Sequence, residues 1–111
     1  MGSEMCIRDR YAGCAEVENL IGIIPGKTNA PYLALMAHYD SVPMAPGAGD
    51  DGAGVVAILE SARVLKLEAP YDHPIMLLLT DAEENGLIGA CLLYTSPSPR
   101  DLSTSRMPSS A

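Results

Sequence analysis

The stretch His38-Tyr-Asp-Ser-Val-Pro-Met-Ala-Pro-Gly-Ala-Gly-Asp-Asp51 joins two kinds of structure. It leaves an apolar run through a His-x-Asp, crosses a loop with two prolines and two glycines, and sets two adjacent carboxylates before a helical pattern. Upstream, Tyr32-Leu-Ala-Leu-Met-Ala-His38 is almost continuously apolar, as expected of a strand covered on both faces. Downstream, Val55, Ile58, Leu59, Ala62 and Leu65 form one apolar stripe at helical spacing, with Glu60, Arg63 and Lys66 off it. A helix is therefore expected from about Gly52 to Leu67, ended by Pro70. Pro74-Ile-Met-Leu-Leu-Leu-Thr80 reads as a second buried strand, and a second acidic knot, Asp81-Ala-Glu83-Glu84, follows it. Glu18 to Ile24 reads as a strand stopped at Pro25-Gly26, and Asn85 to Ala90 as the opening of a further helix. Strands alternating with helices imply an α/β domain with a covered sheet. Both acidic knots then lie at carboxyl ends of buried strands, where open α/β sheets bind ligands.

Each candidate residue also has a plain reading. A histidine closing an apolar strand is commonly a satisfied core residue, but Asp40, two residues on, can orient an imidazole as the partners of ligating histidines do. An aspartate before a helix is a favoured cap and suits the helix dipole; Asp50 and Asp51 are two, and one cap needs only one of them. The glycines of Gly47 to Gly54 suggest a phosphate cradle, yet the carboxylates at its centre would repel a phosphate. Glu83-Glu84 resembles a solvated acidic corner, except that it abuts a strand end beside the other acids. Neighbouring glutamates in such a place can divide the work, one on a metal and one as general base. Imidazole and carboxylates gathered at strand ends are the donors of a hydrolytic zinc site.

The two ends of the 111-residue chain read differently from its middle. Met5-Cys-Ile-Arg-Asp-Arg10 can be encoded by ATG TGT ATA AGA GAC AGG, whose reverse complement in a shifted frame reads Cys91-Leu-Leu-Tyr-Thr95. Antisense copies at opposite termini resemble translated adapter from transposon-based sequencing libraries. Ser96 to Asp101 and Ser105 to Ala111 look like its continuation, in place of a natural Ser/Pro tail. Residues 1–10 and 91–111 are accordingly set aside as adapter-like, the latter expected to be disordered, and 11–90 is taken as the genuine insert. That part holds 3 basic and 11 acidic side chains, which suits cations and excludes a nucleic-acid partner. Only Cys14 of the three cysteines lies within it, so no disulfide or cysteine-zinc framework is indicated. No apolar run reaches the roughly 20 residues that span a bilayer.

Taken together, His38-Tyr-Asp40, Pro46-Gly-Ala-Gly-Asp50-Asp51-Gly-Ala-Gly54 and Glu83-Glu84-Asn-Gly-Leu-Ile-Gly-Ala90 resemble the co-catalytic di-zinc aminopeptidases, metallopeptidase family twenty-eight. Tyr39-Asp-Ser-Val-Pro43 with Leu59-Glu-Ser-Ala-Arg-Val-Leu65 is similar to the membrane-associated branch of that family. The resemblance implies a three-layer α/β/α zinc-exopeptidase fold with a mostly buried mixed sheet, of which this chain holds an incomplete, N-terminal part. It implies two Zn2+ ions, with His38 on one, Glu84 on the other and Asp50 bridging both. Glu83 would be the general base that deprotonates metal-activated water, Asp40 would steer His38, and the Asp50–Asp51 peptide would be cis. The substrate would be a peptide with a free N-terminus. The parent protein would be secreted, periplasmic or membrane-associated, with no membrane anchor within this stretch.

The family completes its site with an aspartate and a histidine well downstream of the double glutamate. With residues 91–111 set aside, the chain is expected to lack both, and so not to be a competent aminopeptidase by itself. Two rival readings stand beside this one. The related zinc carboxypeptidases and deacylases share the His-x-Asp and double glutamate but usually place Met-Lys-Gly where Asp51-Gly-Ala-Gly54 stands here. A non-catalytic receptor ectodomain of the same fold typically loses ligand positions that are filled in this sequence.

Overall fold

The computed structural model describes residues 2–7 and 13–95, with side chains from 16 to 93. Along the chain run β1 (Gly2–Ile7), β2 (Gly13–Glu18), β3 (Leu20–Ile24), β4 (Leu33–His38), α1 (Ala53–Glu68), β5 (Ile75–Thr80) and α2 (Ile88–Thr95). The architecture is α/β. One sheet is mixed, in the order β3-β5-β4, with β3 antiparallel and β4 parallel to the central β5. A separate antiparallel hairpin pairs β1 with β2.

The middle position of β5 follows from its composition. Five apolar residues without alternation can be buried on both faces, and Ile75 and Met76 are almost wholly buried. Thr80, the polar residue that closes the strand, is buried too, and its hydroxyl donates to the Ala37 carbonyl at 3.4 Å. β4 departs from the expectation of cover on both faces. It is an edge of the described sheet, and its Leu33 and Met36 are 59% and 60% exposed because no described element lies over them.

The crossover from β4 to β5 is α1, which packs on β4 and reaches β5. Ile58 and Ala62 are its buried contacts, flanked by the half-buried Val55 and Leu65. Leu59, expected in the same stripe, instead faces out at 55% exposure. The helix stops at Glu68, since Ala69 before Pro70 is extended (φ −63°, ψ 153°). After β3 the chain bends at Lys27–Thr28, where Lys27 N donates across to Tyr71 O at 2.7 Å. Gly26 is required there, because a Cβ would lie 2.4 Å from the Pro74 nitrogen.

Two boundaries move relative to the sequence reading. α2 begins at Ile88 and runs to Thr95, so residues 91–95, expected to be disordered, are helical. β1 lies within residues 1–10, which had been set aside. Residues 1, 8–10 and 96–111, the rest of the proposed adapter, lie outside the described residues. Val17 of β2, Ala82 and Ile88 form a small core, with Leu92 packed against it. Among the described residues no helix is long and apolar enough to cross a membrane.

Candidate metal centre

The parallel register sets His38 beside Thr80, so the chain leaves both strands at the same end of the sheet. One more ladder bond, Tyr39 N to Thr80 O at 3.0 Å, carries the pairing past the strand end. Beyond it the His38 ring is mostly buried, and its two nitrogens have separate duties. Nδ1 lies 3.0 Å from the Asp40 carbonyl oxygen. A carbonyl can only accept, so Nδ1 carries a proton, and Nε2 is the nitrogen that faces the cleft, where without metal it donates to a carboxylate. Nε2 lies 2.9 Å from Asp50 Oδ1 and 3.8 Å from Glu83 Oε2. Burial pulls the His38 pKa down, but the Asp50 hydrogen bond, the Asp40 carbonyl and the nearby Glu83 and Asp40 charges outweigh it, leaving the pKa above 6.5.

The loop before α1 separates the two aspartates. Gly47 takes a left-handed conformation (φ 68°) and its carbonyl accepts the Gly52 N–H at 2.8 Å, which closes the turn. The Asp50–Asp51 peptide is cis, as the family resemblance implies. Asp50 faces His38 with a largely solvent-exposed side chain. Asp51 serves the helix, its Oδ1 accepting the Gly54 N–H at 3.0 Å and its Oδ2 the His38 N–H at 3.4 Å. A Cβ at Gly54 would meet Asp51 Oδ1 at 2.3 Å, so glycine is what lets the carboxylate fold over the first turn.

After β5 the chain reverses through Ala82 (φ 54°), Gly86 (φ 97°) and Leu87 (φ 62°). The Glu83 carbonyl accepts the Gly86 and Leu87 N–H groups at 3.0 and 2.8 Å. The Glu83 and Glu84 N–H groups donate to the two carboxylate oxygens of Asp40, at 3.0 and 3.1 Å. Asp40 therefore reaches His38 most closely through its main chain; its carboxylate is 3.4 Å from Nδ1. Behind this turn lies a polar latch. Asn19 accepts the Asp81 N–H and donates to Gly89 O, while Asp81 accepts the Glu18 N–H. Tyr39 donates its hydroxyl to the Glu18 carbonyl, and burial, followed by Asp81 and Glu18, raises its pKa. Asn19, Tyr39 and Asp81 carried no signal of this in the sequence, because their partners are main-chain groups far along the chain.

Ligand atoms of His38, Asp50 and Glu84 all lie within 4.8 Å of one another, with Glu83 facing the same space. Two ligands of one zinc lie at most about 4.4 Å apart at its roughly 2.0–2.2 Å bond lengths. Donors spread over up to 4.8 Å therefore surround a metal site without all three standing in bonding positions for a single ion; the mixed imidazole and carboxylate donors fit zinc. A cavity of about 220 Å³ opens beside them, lined by Val42, Ala45, Pro46, Asp50 and Glu84 among others.

The sequence profile of Peptidase family M28 matches residues 19–107. The chain belongs to this family. Its M28 relatives include aminopeptidase YwaD of Bacillus subtilis, 40% identical over 92 residues, a match covering 81% of this chain and 20% of that protein. Leucine aminopeptidase 1 of Neurospora crassa is 39% identical over 90 residues, covering 70% of this chain and 22% of its own. The fold is similar to the crystal structure of BSAP, a zinc aminopeptidase from Bacillus subtilis. The TM-score is 0.67 at 40% identity, covering 81% of this chain and 22% of that one. This M28 chain thus spans about a fifth of the length of the curated relatives it matches.

Proposed function

We propose that the chain carries part of the catalytic centre of a zinc aminopeptidase acting on peptides with a free N-terminus. The observation that carries this reading is the convergence of His38, Asp50 and Glu84 within 4.8 Å at the carboxyl ends of β4 and β5. His38 and Glu84 would each hold one of two zinc ions and Asp50 would bridge them. Bound there, zinc supplies Lewis-acid polarisation of the scissile carbonyl and acidifies water. Glu83, half-buried beside the cluster, takes the proton of the attacking water on its carboxylate and returns it to the leaving amine. His38 keeps Nδ1–H on the Asp40 carbonyl, which fixes the ring with Nε2 toward the cleft. Neither rival reading is favoured by a specific observation. Asp51-Gly-Ala-Gly54 stands where the deacylases usually carry Met-Lys-Gly, and each of the three ligand positions this stretch covers is filled.

Catalytic zinc ordinarily holds three protein ligands, and the described residues offer two to each ion. The test is therefore a transplant. Residues 17–90 replace the matching segment of the Bacillus subtilis zinc aminopeptidase, and the chimera is assayed on aminoacyl-p-nitroanilides with its zinc content measured. Turnover with two zinc ions per chain is expected. Glu83→Gln should cut kcat by roughly 10²–10⁴-fold with zinc retained. A folded chimera that holds zinc but shows no turnover overturns the reading. The flanks are a separate proposal, that residues 1–10 and 91–111 are translated adapter. Sequencing the source DNA without adapter trimming tests it, and genomic sequence running through both junctions would refute it.

A further inference from the structure

We infer that the Asp40 carboxylate, beside its contact with the His38 ring, is a positioning residue for the Glu83–Glu84 pair. The inference rests on the zinc-peptidase reading for its consequence, though the geometry stands by itself. Asp40 has two faces. Its carbonyl oxygen holds His38 Nδ1 at 3.0 Å, while Oδ1 and Oδ2 each accept one main-chain N–H, from Glu83 and from Glu84. Its carboxylate is 16% exposed, so these charge-assisted bonds are sheltered from solvent competition.

The turn it grips needs gripping. Ala82, immediately before Glu83, is held at φ 54° with its methyl buried against Val17 and Ile88. Leu87, after the turn, is again left-handed. Non-glycine residues in this region persist only where their surroundings impose it. Two amides bound to one carboxylate from a neighbouring strand end supply that constraint. They fix the direction in which the chain leaves Ala82, and with it the points from which the Glu83 and Glu84 side chains enter the cleft. The His38 ring keeps its closest partner, a main-chain oxygen that any residue at position 40 would provide, so loss of the carboxylate falls mainly on the two amides.

The two routes separate in a double-mutant cycle on zinc affinity, measured by competition with a chromophoric chelator on the full 111-residue chain. Asp40→Ala should weaken zinc binding by roughly 10–100-fold, the usual cost of losing a group that orients a ligand. In a Glu84→Ala background the same change should cost less than about twofold, since the ligand it acts through is gone. In a His38→Ala background the full loss should remain. Amide exchange gives a readout free of metal. The Glu83 and Glu84 N–H groups should lose at least about tenfold protection in Asp40→Ala, while Leu77 and Leu79 in β5 change little. Should the alanine variant not fold, Asp40→Asn serves, keeping one acceptor oxygen and releasing one of the two amides. Unchanged protection at both glutamates overturns the inference, as does a zinc loss that survives Glu84→Ala and vanishes in His38→Ala. Should the wild-type chain, with two ligands for each ion, bind zinc too weakly to measure, the double-mutant cycle is run in the chimera, and the exchange measurement decides the clamp in either case.

Discussion

Two segments leave the same end of the parallel pair, and they hold their carboxylates in opposite ways. From β4, the loop through Asp50 leaves its side chain 80% exposed, with His38 Nε2 as its hydrogen-bond partner. From β5, the turn through Glu83 and Glu84 is held by its backbone, caught between the Asp40 carboxylate and the Asn19–Asp81 latch. One segment fixes a side chain through another candidate ligand; the other fixes the main chain and lets the side chains follow. The lesson concerns robustness. The first arrangement depends on an exposed charge, the second on sheltered main-chain hydrogen bonds and close packing.

Two glycines offer the largest test of that contrast. A Cβ at Gly89 would lie 2.2 Å from the Asp81 carbonyl and 2.9 Å from its nitrogen, so main chain must move. The nearest atoms to a Cβ at Gly54 belong to the Asp51 carboxylate, which can swing away at the loss of one capping bond worth about 1 kcal/mol and of the long 3.4 Å bond from His38 N. Each change to alanine also gains about 1 kcal/mol of helix propensity. Gly54→Ala should therefore be nearly neutral in urea unfolding. Gly89→Ala should destabilise by about 1–3 kcal/mol, as overpacking does. Equal effects would erase the distinction between a clamped backbone and a mobile side chain.

A smaller effect should appear in pH. The raised His38 pKa means that the folded, metal-free chain binds its imidazole proton more tightly than the unfolded chain does. That stabilisation is fully present below the unfolded value of about 6.5 and is lost as pH rises through the higher folded value. In chelator, the melting-temperature gap between the wild type and His38→Gln should narrow across that window. A gap that widens with pH would show that Asp50 does not hold the ring.

The smallest effect belongs to a pair remote from both segments. Arg63 donates two hydrogen bonds to the Glu60 carboxylate on the open side of α1, lowering the Glu60 pKa, and both groups are solvent-exposed. A depressed carboxylate contributes stability above its unfolded pKa and loses it as pH falls, but here solvent screens it. Glu60→Gln should leave the melting temperature unchanged within error at neutral pH, which makes it the baseline for the other variants.

What the sequence made legible was what depends on local pattern. The apolar runs gave β4 and β5 to within one residue, and helical spacing placed α1 within one residue at each end. The convergence of His38, Asp50, Glu83 and Glu84 followed from their strand-end positions. The central place of β5 was not legible, because Tyr32–His38 and Ile75–Thr80 are equally apolar and only pairing distinguishes them. Leu59 misled because it sits on the edge of the helical stripe, and the described chain offers nothing to cover it. Asp40, two residues on along the same strand path, reads as a partner for His38, and it is one through its carbonyl. Its better acceptor contacts are amides 43 and 44 residues on, which no periodicity announces.

The parallel register also sets an order of assembly. Strands β4 and β5 cannot be joined by a hairpin, so the whole loop and α1 must be in hand before they pair. Non-local pairings of this kind form slowly, since the closure entropy of the intervening chain comes first. Until then Glu84 has no fixed relation to His38, and a metal ion meets only neighbouring carboxylates such as Asp50 with Asp51, or Glu83 with Glu84. Zinc present throughout refolding would bind these local pairs in open chains, so the moment at which metal is added will govern how much of the population acquires the centre.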